Sequence, residues 1–414
     1  MKRIFSRNFL IALFLMSSTC VSAQMDSLIF ETDHHIDTAS VGELRLNVDG
    51  LFFFRDNEYK GNLVKGYTLP GFHIQPTLSY QPLRNLRMEA GLYMLHYWGA
   101  EKYPNLNYSD MPEWKGDQTQ KGFHIVPFFN VQLALSPHFN LLLGSIYGRA
   151  NHHLIEPLYN QETGLSGDPE TGLQVLWDNR VVDVDAWLNW ESFIFNNDQH
   201  QESFTFGISS RFKVNRPQAR AHVYFPVQVL MQHRGGEINP DAASRVIKTW
   251  MNGAAGVGVT FNTGNPLLTR VNLEGDLTYY KQMAGSMLPF DNGHGFYVKT
   301  DIDLWRFRLH GAYWHGNDFI TVFGNPLYGT VGINDRTYTM RRPNMVNARV
   351  SYAQDLGHGF AWGIHADVYN HLPADAYSEE RGAYREKSGM SVAAGVYLRV
   401  NPSFLLKRFA AKRP

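Results

Sequence analysis

The 414-residue chain carries 38 lysines and arginines against 38 aspartates and glutamates, so its formal net charge is zero. A chain without net charge has no field that attracts nucleic acid, and a polynucleotide partner is not expected. The single cysteine, Cys20, excludes a secreted domain built on disulfides.

The first 23 residues have the composition of a secretory signal peptide. Lys2 and Arg3 precede the apolar run 9–16, and small residues lead to an expected cleavage site after Ala23. The run is shorter than the roughly 20 apolar residues that a membrane-spanning helix needs. A retained N-terminal anchor and a lipoprotein modified at Cys20 are the alternatives. Cleavage would remove the only cysteine, so no disulfide is expected in the mature chain.

Alternation of polar and apolar residues begins near Glu43 and recurs as far as Val400. In Val182–Glu191 nearly every second residue is charged or carries an amide, and Leu44–Asp49 and Phe72–Gln81 alternate in the same way. Later examples are Val271–Leu277, Val298–Leu304 and Met390–Val400. A period of two over such lengths predicts β-strands. After the signal, no stretch is apolar for long enough to predict a membrane-spanning helix.

Turn residues divide these strands in a regular rhythm. Short turns rich in Pro, Gly, Asn and Asp alternate with longer polar segments, which are 56–67, 100–119, 152–169, 233–247, 283–291, 316–340 and 371–387. Short periplasmic turns and long extracellular loops are typical of bacterial outer-membrane barrels. The rhythm predicts about sixteen strands, or fourteen if the strand near 170–177 and the short loop at 194–201 are both wrong.

The resulting prediction is an all-β protein, a transmembrane antiparallel up-and-down β-barrel over residues 42–400. The signal peptide 1–23 precedes it. A periplasmic segment, 24–41, and a tail, 401–414, are expected to lie outside the barrel. Aromatic residues toward strand ends, such as Trp190, fit the girdles that form at the level of lipid headgroups. A soluble β-sandwich is the alternative fold.

Together, the signal, the period-two strands and the rhythm of turns and loops resemble the porin-sized outer-membrane β-barrels of Gram-negative bacteria. The resemblance spans the mature chain and rests on pattern rather than on a diagnostic motif. It implies a location in the outer membrane, with outer-membrane lipid and the barrel-insertion machinery as partners. Such barrels usually end on a strand with a terminal aromatic residue, whereas here the last strand ends near Val400. Either Phe404 or Phe409 then serves as the insertion signal, or the tail folds beneath the barrel.

Polar positions on the last strands are expected to face the barrel interior and to place acids beside bases. These residues are Glu274, Asp276, Lys299, Asp301, Asp303, Arg306, Arg308, His310, Arg349, His365, Asp367 and Arg399. As pore-lining residues they would set a transverse field that sorts hydrophilic solutes, without strong selectivity for either sign of charge. The alternative is that they neutralise one another and stiffen or fill the interior.

No residue is singled out as catalytic, and no cofactor or metal site is predicted. The chain has 17 histidines, so chance pairs are expected. His233–Glu237, beside a strand end, is the most site-like cluster, although its glycines also suit a loop turn. The pairs at 152–153 and 34–35 lack a third ligand at a characteristic spacing. Neither a Gly-x-Ser-x-Gly elbow in its strand-turn-helix setting nor a phosphate-binding loop is found.

The favoured function is diffusion of small hydrophilic solutes through a porin-like channel, and the alternative is a closed barrel that modifies lipid or binds surface ligands. An inward loop that leaves a water path predicts the channel, whereas a filled lumen and a histidine cluster at the rim predict the enzyme. For a homo-oligomer, Ala254–Val259 or Ala393–Val396 offers a flat outer face, unless their glycines only curve the sheet. The segment 24–41 is a candidate for binding a periplasmic partner.

Overall fold

The computed structural model describes residues 25–98, 124–192, 201–235, 247–333, 335 and 337–409. Within these residues, sixteen antiparallel strands form one closed barrel, and the predicted all-β up-and-down architecture is confirmed. The signal peptide 1–23, the loop 100–119 and nearly all of the loop 194–201 lie outside the described residues. No helix among the described residues has both the length and the apolarity to cross a membrane.

The strands follow one another around the barrel in chain order. They are β1 (Glu43–Glu58), β2 (Tyr67–Leu83), β3 (Leu86–Tyr97), β4 (His124–Ser136), β5 (Phe139–Ser145), β6 (Thr171–Asp178), β7 (Val182–Ser192), β8 (Glu202–Lys213), β9 (Ala221–Gly235), β10 (Lys248–Asn262), β11 (Leu268–Ala284), β12 (Asn292–Leu304), β13 (Phe307–Asn317), β14 (Asn344–Gly357), β15 (Phe360–His371), β16 (Ala374–Ser378), β17 (Gly382–Glu386), β18 (Gly389–Val400) and β19 (Ser403–Arg408). In the described chain, β1–β15 and β18 make up the barrel, β16 and β17 form a hairpin in a long loop, and β19 continues β18. Short helical turns lie at Asp26–Phe30, Thr38–Ser40, Arg149–His152, Thr163–Ser166 and Pro326–Tyr328.

The barrel closes where β1 pairs with both β2 and β18. The structure differs here from the expectation that the tail 401–414 lies outside the barrel, because β19 pairs with the first residues of β1. Pro402 has no N–H and interrupts the ladder, yet its carbonyl accepts the Val48 N–H at 3.0 Å. This interruption explains why the sequence pattern ends near Val400 although the pairing continues to Arg408.

Side chains alternate between the lumen and the outer face along each strand, as a period of two requires. On β9, Tyr224 and Leu230 are 1 % and 2 % exposed, whereas Phe225 and Val227 are 47 % and 37 % exposed. Apolar residues therefore cover the outer wall, where lipid would surround them. The buried side chains of the strands face the lumen, which is occupied by other segments of the same chain.

Glycines on β10 and β18 make room for tyrosines on the lumen side. A Cβ at Gly258 would overlap the ring of Tyr224, and a Cβ at Gly395 would overlap the ring of Tyr397. Both rings are almost fully buried. These glycines thus allow large rings to lie flat against the inner wall, a role distinct from both an oligomer face and simple curvature.

The N-terminal segment (residues 25–42) enters the lumen at the short-turn end, instead of lying outside the barrel as the sequence analysis expects of 24–41. Ile29 is fully buried, and its carbonyl accepts a hydrogen bond from Arg399 Nη1 at 2.8 Å. Asp26 forms an ion pair with Arg308 at 3.1 Å. Burying the apolar side chains of this segment against the inner wall is favourable, because in the periplasm they would face water.

Two long loops fold inward from the opposite end. The first inward loop (residues 146–170) and the second inward loop (318–343, described except for 334 and 336) correspond to the predicted segments 152–169 and 316–340. They meet inside the barrel, where the Asn160 N–H donates to the Phe323 carbonyl at 2.8 Å. The loops therefore close on each other as well as on the wall.

A hydrophobic core fills this half of the lumen. The ring of Trp314, from the wall, lies 5.1 Å from Phe319 and 5.7 Å from Tyr328 of the second inward loop. All three side chains are fully buried. We call this group and the buried apolar side chains around it the lumen core. Its packing gives the barrel the filled lumen that the closed-barrel alternative predicts.

Candidate functional site

The predicted interior charges lie on the lumen face with one exception, and the strand register brings them together. Glu274 is opposite Lys299, Asp301 is opposite His310, and Arg349 is opposite Asp367. The contacts join acid to base: Lys299–Glu274 at 2.9 Å, His310–Asp301 at 2.8 Å, Arg308–Asp303 at 2.8 Å, Arg399–Asp49 at 2.8 Å, and Arg349–Asp367. Asp276 and His365 are buried in the same wall. This pairing supports the alternative in which the charges neutralise one another.

Arg306 is the exception among the predicted lumen residues. It lies in the two-residue turn between β12 and β13 rather than on a strand. Its guanidinium group lies 5.0 Å from the centre of the Trp305 ring and donates to the Tyr352 hydroxyl at 3.4 Å. Tyr352 belongs to the outward set of β14, so Arg306 is directed toward the outer wall at the short-turn end.

The inward loops add partners that the sequence pattern did not reveal. Glu162 of the first inward loop forms an ion pair with Arg55 of β1 and accepts hydrogen bonds from Asn57 and Tyr67. Glu156 of the same loop pairs with Arg349 at 2.6 Å. No local motif signals these contacts, because each joins a loop to a strand that is distant in the sequence.

His152 fixes the first inward loop to the barrel wall. Its Nδ1 lies 2.7 Å from Asp185 Oδ2 and its Nε2 lies 3.0 Å from Glu170 Oε2, while its ring stacks on Trp187. Burial opposes the charged imidazole, but the two carboxylates prevail and raise the His152 pKa from 6.5 to about 9. Its neighbour, His153, instead lies near Glu31, so the pair at 152–153 does not converge on one site.

Replacing His152 with glutamine should destabilise the barrel most at neutral and acidic pH. Because the folded-state pKa is raised, the stabilisation is fully present below pH 6.5 and is lost as the pH rises through about 9. Urea unfolding of wild-type and H152Q barrels, followed by tryptophan fluorescence between pH 6 and about pH 10, measures this difference. A difference that does not change with pH would contradict the charged state assigned to His152.

Among the described residues, no group of three His, Cys, Asp or Glu side chains is arranged to hold a metal ion. The predicted cluster at His233–Glu237 does not converge either: His233 faces outward, Arg234 is 2 % exposed on the lumen side, and residues 236 and 237 lie outside the described chain. On the outer wall, His233 Nδ1 is 2.9 Å from the Thr249 hydroxyl. Strand alternation places His233 and Arg234, which are neighbours in the sequence, on opposite faces of the barrel wall.

A second outward histidine, His315, belongs to a hydrogen-bonded group at the extracellular ends of β13 and β14. His315 Nδ1 lies 2.9 Å from Asn344 Oδ1, and the Tyr313 hydroxyl donates to the same oxygen at 2.8 Å. Because Trp314 is fully buried on the lumen side, its neighbours Tyr313 and His315 point away from the lumen. We call Tyr313, His315 and Asn344 the rim cluster.

Two exposed arginines lie close to Asn344 in the chain. Arg341 is 66 % exposed and is oriented by Asp318, with its Nη2 2.6 Å from Asp318 Oδ2. Arg342 is exposed, and its carbonyl lies 3.5 Å from Asn344 Nδ2. On the neighbouring strand, His294 Nε2 lies 3.5 Å from Asn317 Nδ2. The rim cluster thus lies at the extracellular end of the apolar outer wall, where the chain also exposes Arg341 and Arg342.

Comparison with known proteins finds one family over most of the chain. A family model described as Lipid A 3'-O-deacylase-type matches residues 36–409. The sequence has no match among curated proteins.

The comparison also finds solved structures of similar shape. They include OprD from Pseudomonas aeruginosa (11 % identity, 89 % of this chain and 96 % of that chain, TM-score 0.44) and OccAB3 from Acinetobacter baumannii (10 %, 87 % and 100 %, TM-score 0.46). OmpT of Vibrio cholerae, in a trimer form, covers 86 % of this chain and 99 % of its own at 7 % identity, with a TM-score of 0.45. The closed sixteen-strand barrel itself confirms the predicted likeness to porin-sized barrels and, with its apolar outer wall and the family match, the predicted outer-membrane location.

Proposed function

We propose, since the chain belongs to the lipid A 3'-O-deacylase-type family, that it hydrolyses an acyl ester of a lipid A-type glycolipid at the rim cluster. The observation that carries this proposal is the rim cluster itself, a hydrogen-bonded histidine on the outer wall beside exposed arginines. A glycolipid in the outer leaflet would reach this wall without entering the barrel.

The position of the rim cluster suits a bond at the boundary between acyl chain and headgroup. Toward the short-turn end, the outer wall of β14 continues with Val346 and Val350, which are 46 % and 49 % exposed. Polar side chains are costly on the hydrocarbon-facing wall, so His315 and Asn344 mark the level at which headgroups begin. Acyl chains packed along the valines would bring their ester linkages to that level.

The hydrogen bonds of the rim cluster prepare His315 to act as a general base. An amide oxygen accepts hydrogen bonds, so Asn344 Oδ1 holds the proton on His315 Nδ1 and leaves a lone pair on Nε2. Nε2 takes a proton from water as the water oxygen bonds to the ester carbonyl carbon. The carbon–oxygen bond to the sugar then breaks, and the imidazolium returns the proton to the sugar oxygen.

The arginines beside the rim cluster suit an anionic glycolipid. Guanidinium groups bind phosphate through paired hydrogen bonds, and Arg341 and Arg342 are exposed above the apolar wall. We assign them to the phosphates of the headgroup. In this arrangement they position the substrate, while His315 performs the proton transfers.

The direct test is hydrolysis by the refolded protein lacking residues 1–23, incubated with purified lipid A in detergent micelles. We expect release of free fatty acid, measured by chromatography, at a rate that rises with protein concentration. The control is the same protein unfolded by heat. A folded barrel, identified by its heat-modifiable migration on a gel, that releases no more fatty acid than this control would refute the proposal.

A diffusion channel is the second candidate function. A polar cavity of about 220 Å³ at the short-turn end of the lumen favours it. The lumen core opposes it, because Trp314 and Tyr328 are fully buried where a water path would run. The predicted pore-lining role of the paired charges therefore remains a prediction that depends on an open lumen.

Refolded barrels in a planar bilayer should give no discrete conductance steps, because the inward loops and the N-terminal segment pack against each other inside the lumen. Membrane current recorded at fixed voltage measures this, with a protein-free bilayer as the control. Reproducible steps of one size would favour the channel over the closed barrel. Their reversal potential in a salt gradient would then test the predicted weak selectivity.

The partners follow from the location in the outer membrane. We propose contact with outer-membrane lipid through the apolar outer wall. The barrel-insertion machinery and a homo-oligomer stay predictions from the sequence. A periplasmic partner for 24–41 would have to bind the exposed residues 33–35 and 37–39, because Met25 and Ile29 are buried in the lumen.

A further inference from the structure

A cavity of about 220 Å³ lies in the lumen between the N-terminal segment, strands β1–β3 and the first inward loop. Asn47, near the start of β1, and Asn401, just after β18, line it, so it reaches the short-turn end of the barrel. The rim cluster lies outside the barrel at the opposite end. The cavity is therefore a separate feature that faces the periplasm.

Three buried polar atoms of the cavity wall have no hydrogen-bond partner among the described residues. They are His73 Nδ1, Asp49 Oδ1 and Arg87 Nε. His73 as a whole is 6 % exposed. Buried polar groups are nearly always hydrogen-bonded, since leaving one unpaired costs free energy. Three such atoms in one wall, offering both donors and acceptors, point to a polar ligand.

The charges of the wall are already balanced. Asp49 is paired with Arg399 at 2.8 Å, and Glu170 is paired with His152 at 3.0 Å. The lining as a whole holds three arginines (Arg87, Arg149 and Arg399) and four carboxylates (Asp33, Asp49, Glu89 and Glu170), and the charged His152 adds one positive charge behind it. The formal charges therefore nearly cancel and favour no ion of either sign, so hydrogen bonding decides what binds.

Apolar surfaces complete the wall. Phe30, Phe128 and Ile146 line the cavity together with the polar groups. A pocket that combines apolar faces with a few placed polar groups fits a ligand that carries both kinds of surface. A sugar ring has apolar C–H faces and a rim of hydroxyls that donate and accept hydrogen bonds.

We propose that this cavity binds a small neutral sugar from the periplasm. At about 220 Å³ the cavity is large enough for a single sugar ring with its hydroxyls. The sugar hydroxyls bond to His73, Asp49 and Arg87, while the ring packs on the apolar side. This binding is independent of the proposed hydrolysis at the rim cluster.

Isothermal titration of the refolded protein in detergent tests this site, with D-glucose and N-acetyl-D-glucosamine as neutral probes and gluconate as an anionic one. We expect saturable binding of a neutral probe, at least tenfold weakened in His73→Phe and unchanged in the matched control His222→Phe. His222 is also buried on the lumen side but does not line the cavity.

Gln75→Ala, also in the cavity wall, provides a second variant if His73→Phe does not fold. It too is expected to weaken binding of the neutral probe. The proposal is overturned if no neutral probe binds, if gluconate binds more tightly, or if a folded cavity variant binds as the wild type does. None of these outcomes depends on whether the barrel hydrolyses lipid A.

Discussion

Replacing His315 with alanine should slow acyl-ester hydrolysis by about 10²–10⁴-fold, the usual contribution of a general acid–base group. The variant loses the group that takes the proton from water and returns it to the sugar oxygen. The barrel itself should fold normally, because His315 lies on the outer wall away from the lumen core. The measurement is the rate of fatty-acid release from lipid A micelles.

His233→Ala is the matched control for this loss. His233 is also an outward histidine, two residues from the end of its strand, but it bonds to the Thr249 hydroxyl and not to an amide. It should hydrolyse lipid A at the wild-type rate. The hydrolysis rate of Asn344→Ala should lie between the rates of these two variants, because His315 is still present but is no longer oriented by the amide. If H315A and wild type release fatty acid equally fast, the rim cluster is not the catalytic site.

The largest loss of stability is expected for Arg55→Ala, at about 3–5 kcal/mol, because removing one partner of a buried ion pair leaves the other charge uncompensated. Arg55 and Glu162 have side chains that are 9 % and 1 % exposed. Arg55 also contacts His365 Nε2 at 3.0 Å. The variant therefore leaves the Glu162 carboxylate buried without its cation and removes one of the contacts that hold the first inward loop to the wall. Urea unfolding followed by tryptophan fluorescence measures the loss.

Two comparisons separate this effect from the loss of any arginine. Arg385 pairs with Asp375 in the β16–β17 hairpin, where the side chains are 67 % and 88 % exposed, so R385A should cost no more than about 1 kcal/mol. The double variant Arg55→Met with Glu162→Leu removes both buried charges and should be more stable than R55A alone. Equal losses for R55A and R385A would show that the buried pair does not hold the loop.

The strands of the barrel wall could be predicted from the sequence because each one is specified by the alternation of polar and apolar residues within its own short segment. Val182–Glu191 alternates residue by residue, and β7 occupies the same stretch. The uncertain strand near 170–177 is present as β6. Alternation and strand order also place Glu274 and Lys299 on the lumen face of neighbouring strands, and the register then sets them opposite each other. A period of two specifies both the strand and the face of each side chain.

The filling of the lumen could not be predicted in this way. The contact between Arg399 and the Ile29 carbonyl joins residues 370 positions apart, and its acceptor is a backbone oxygen that any residue would supply. The inward loops carry no periodicity to show that they turn inward. Their acids, Glu156 and Glu162, look like ordinary loop residues until the arginines of the wall are placed beside them.

The rim cluster could be predicted from the sequence only in part. His315 and Asn344 are joined across strands but separated in the chain by the second inward loop. One local signal was available. Once Trp314 is assigned to the lumen, alternation puts His315 on the outer wall. A polar residue is costly on a lipid-facing wall, so its presence there suggests a function. Its partner, however, depends on the register between β13 and β14, which the sequence alone did not give.

Mass spectrometry of lipid A extracted from Gram-negative cells that express the protein tests the central claim most directly. We predict a lipid A species lighter by one acyl chain, lost from the 3'-O position, with its phosphates retained. Cells expressing H315A to the same level in the outer membrane should lack this species. Lipid A of unchanged mass in cells with folded wild-type barrel in the outer membrane would contradict the account.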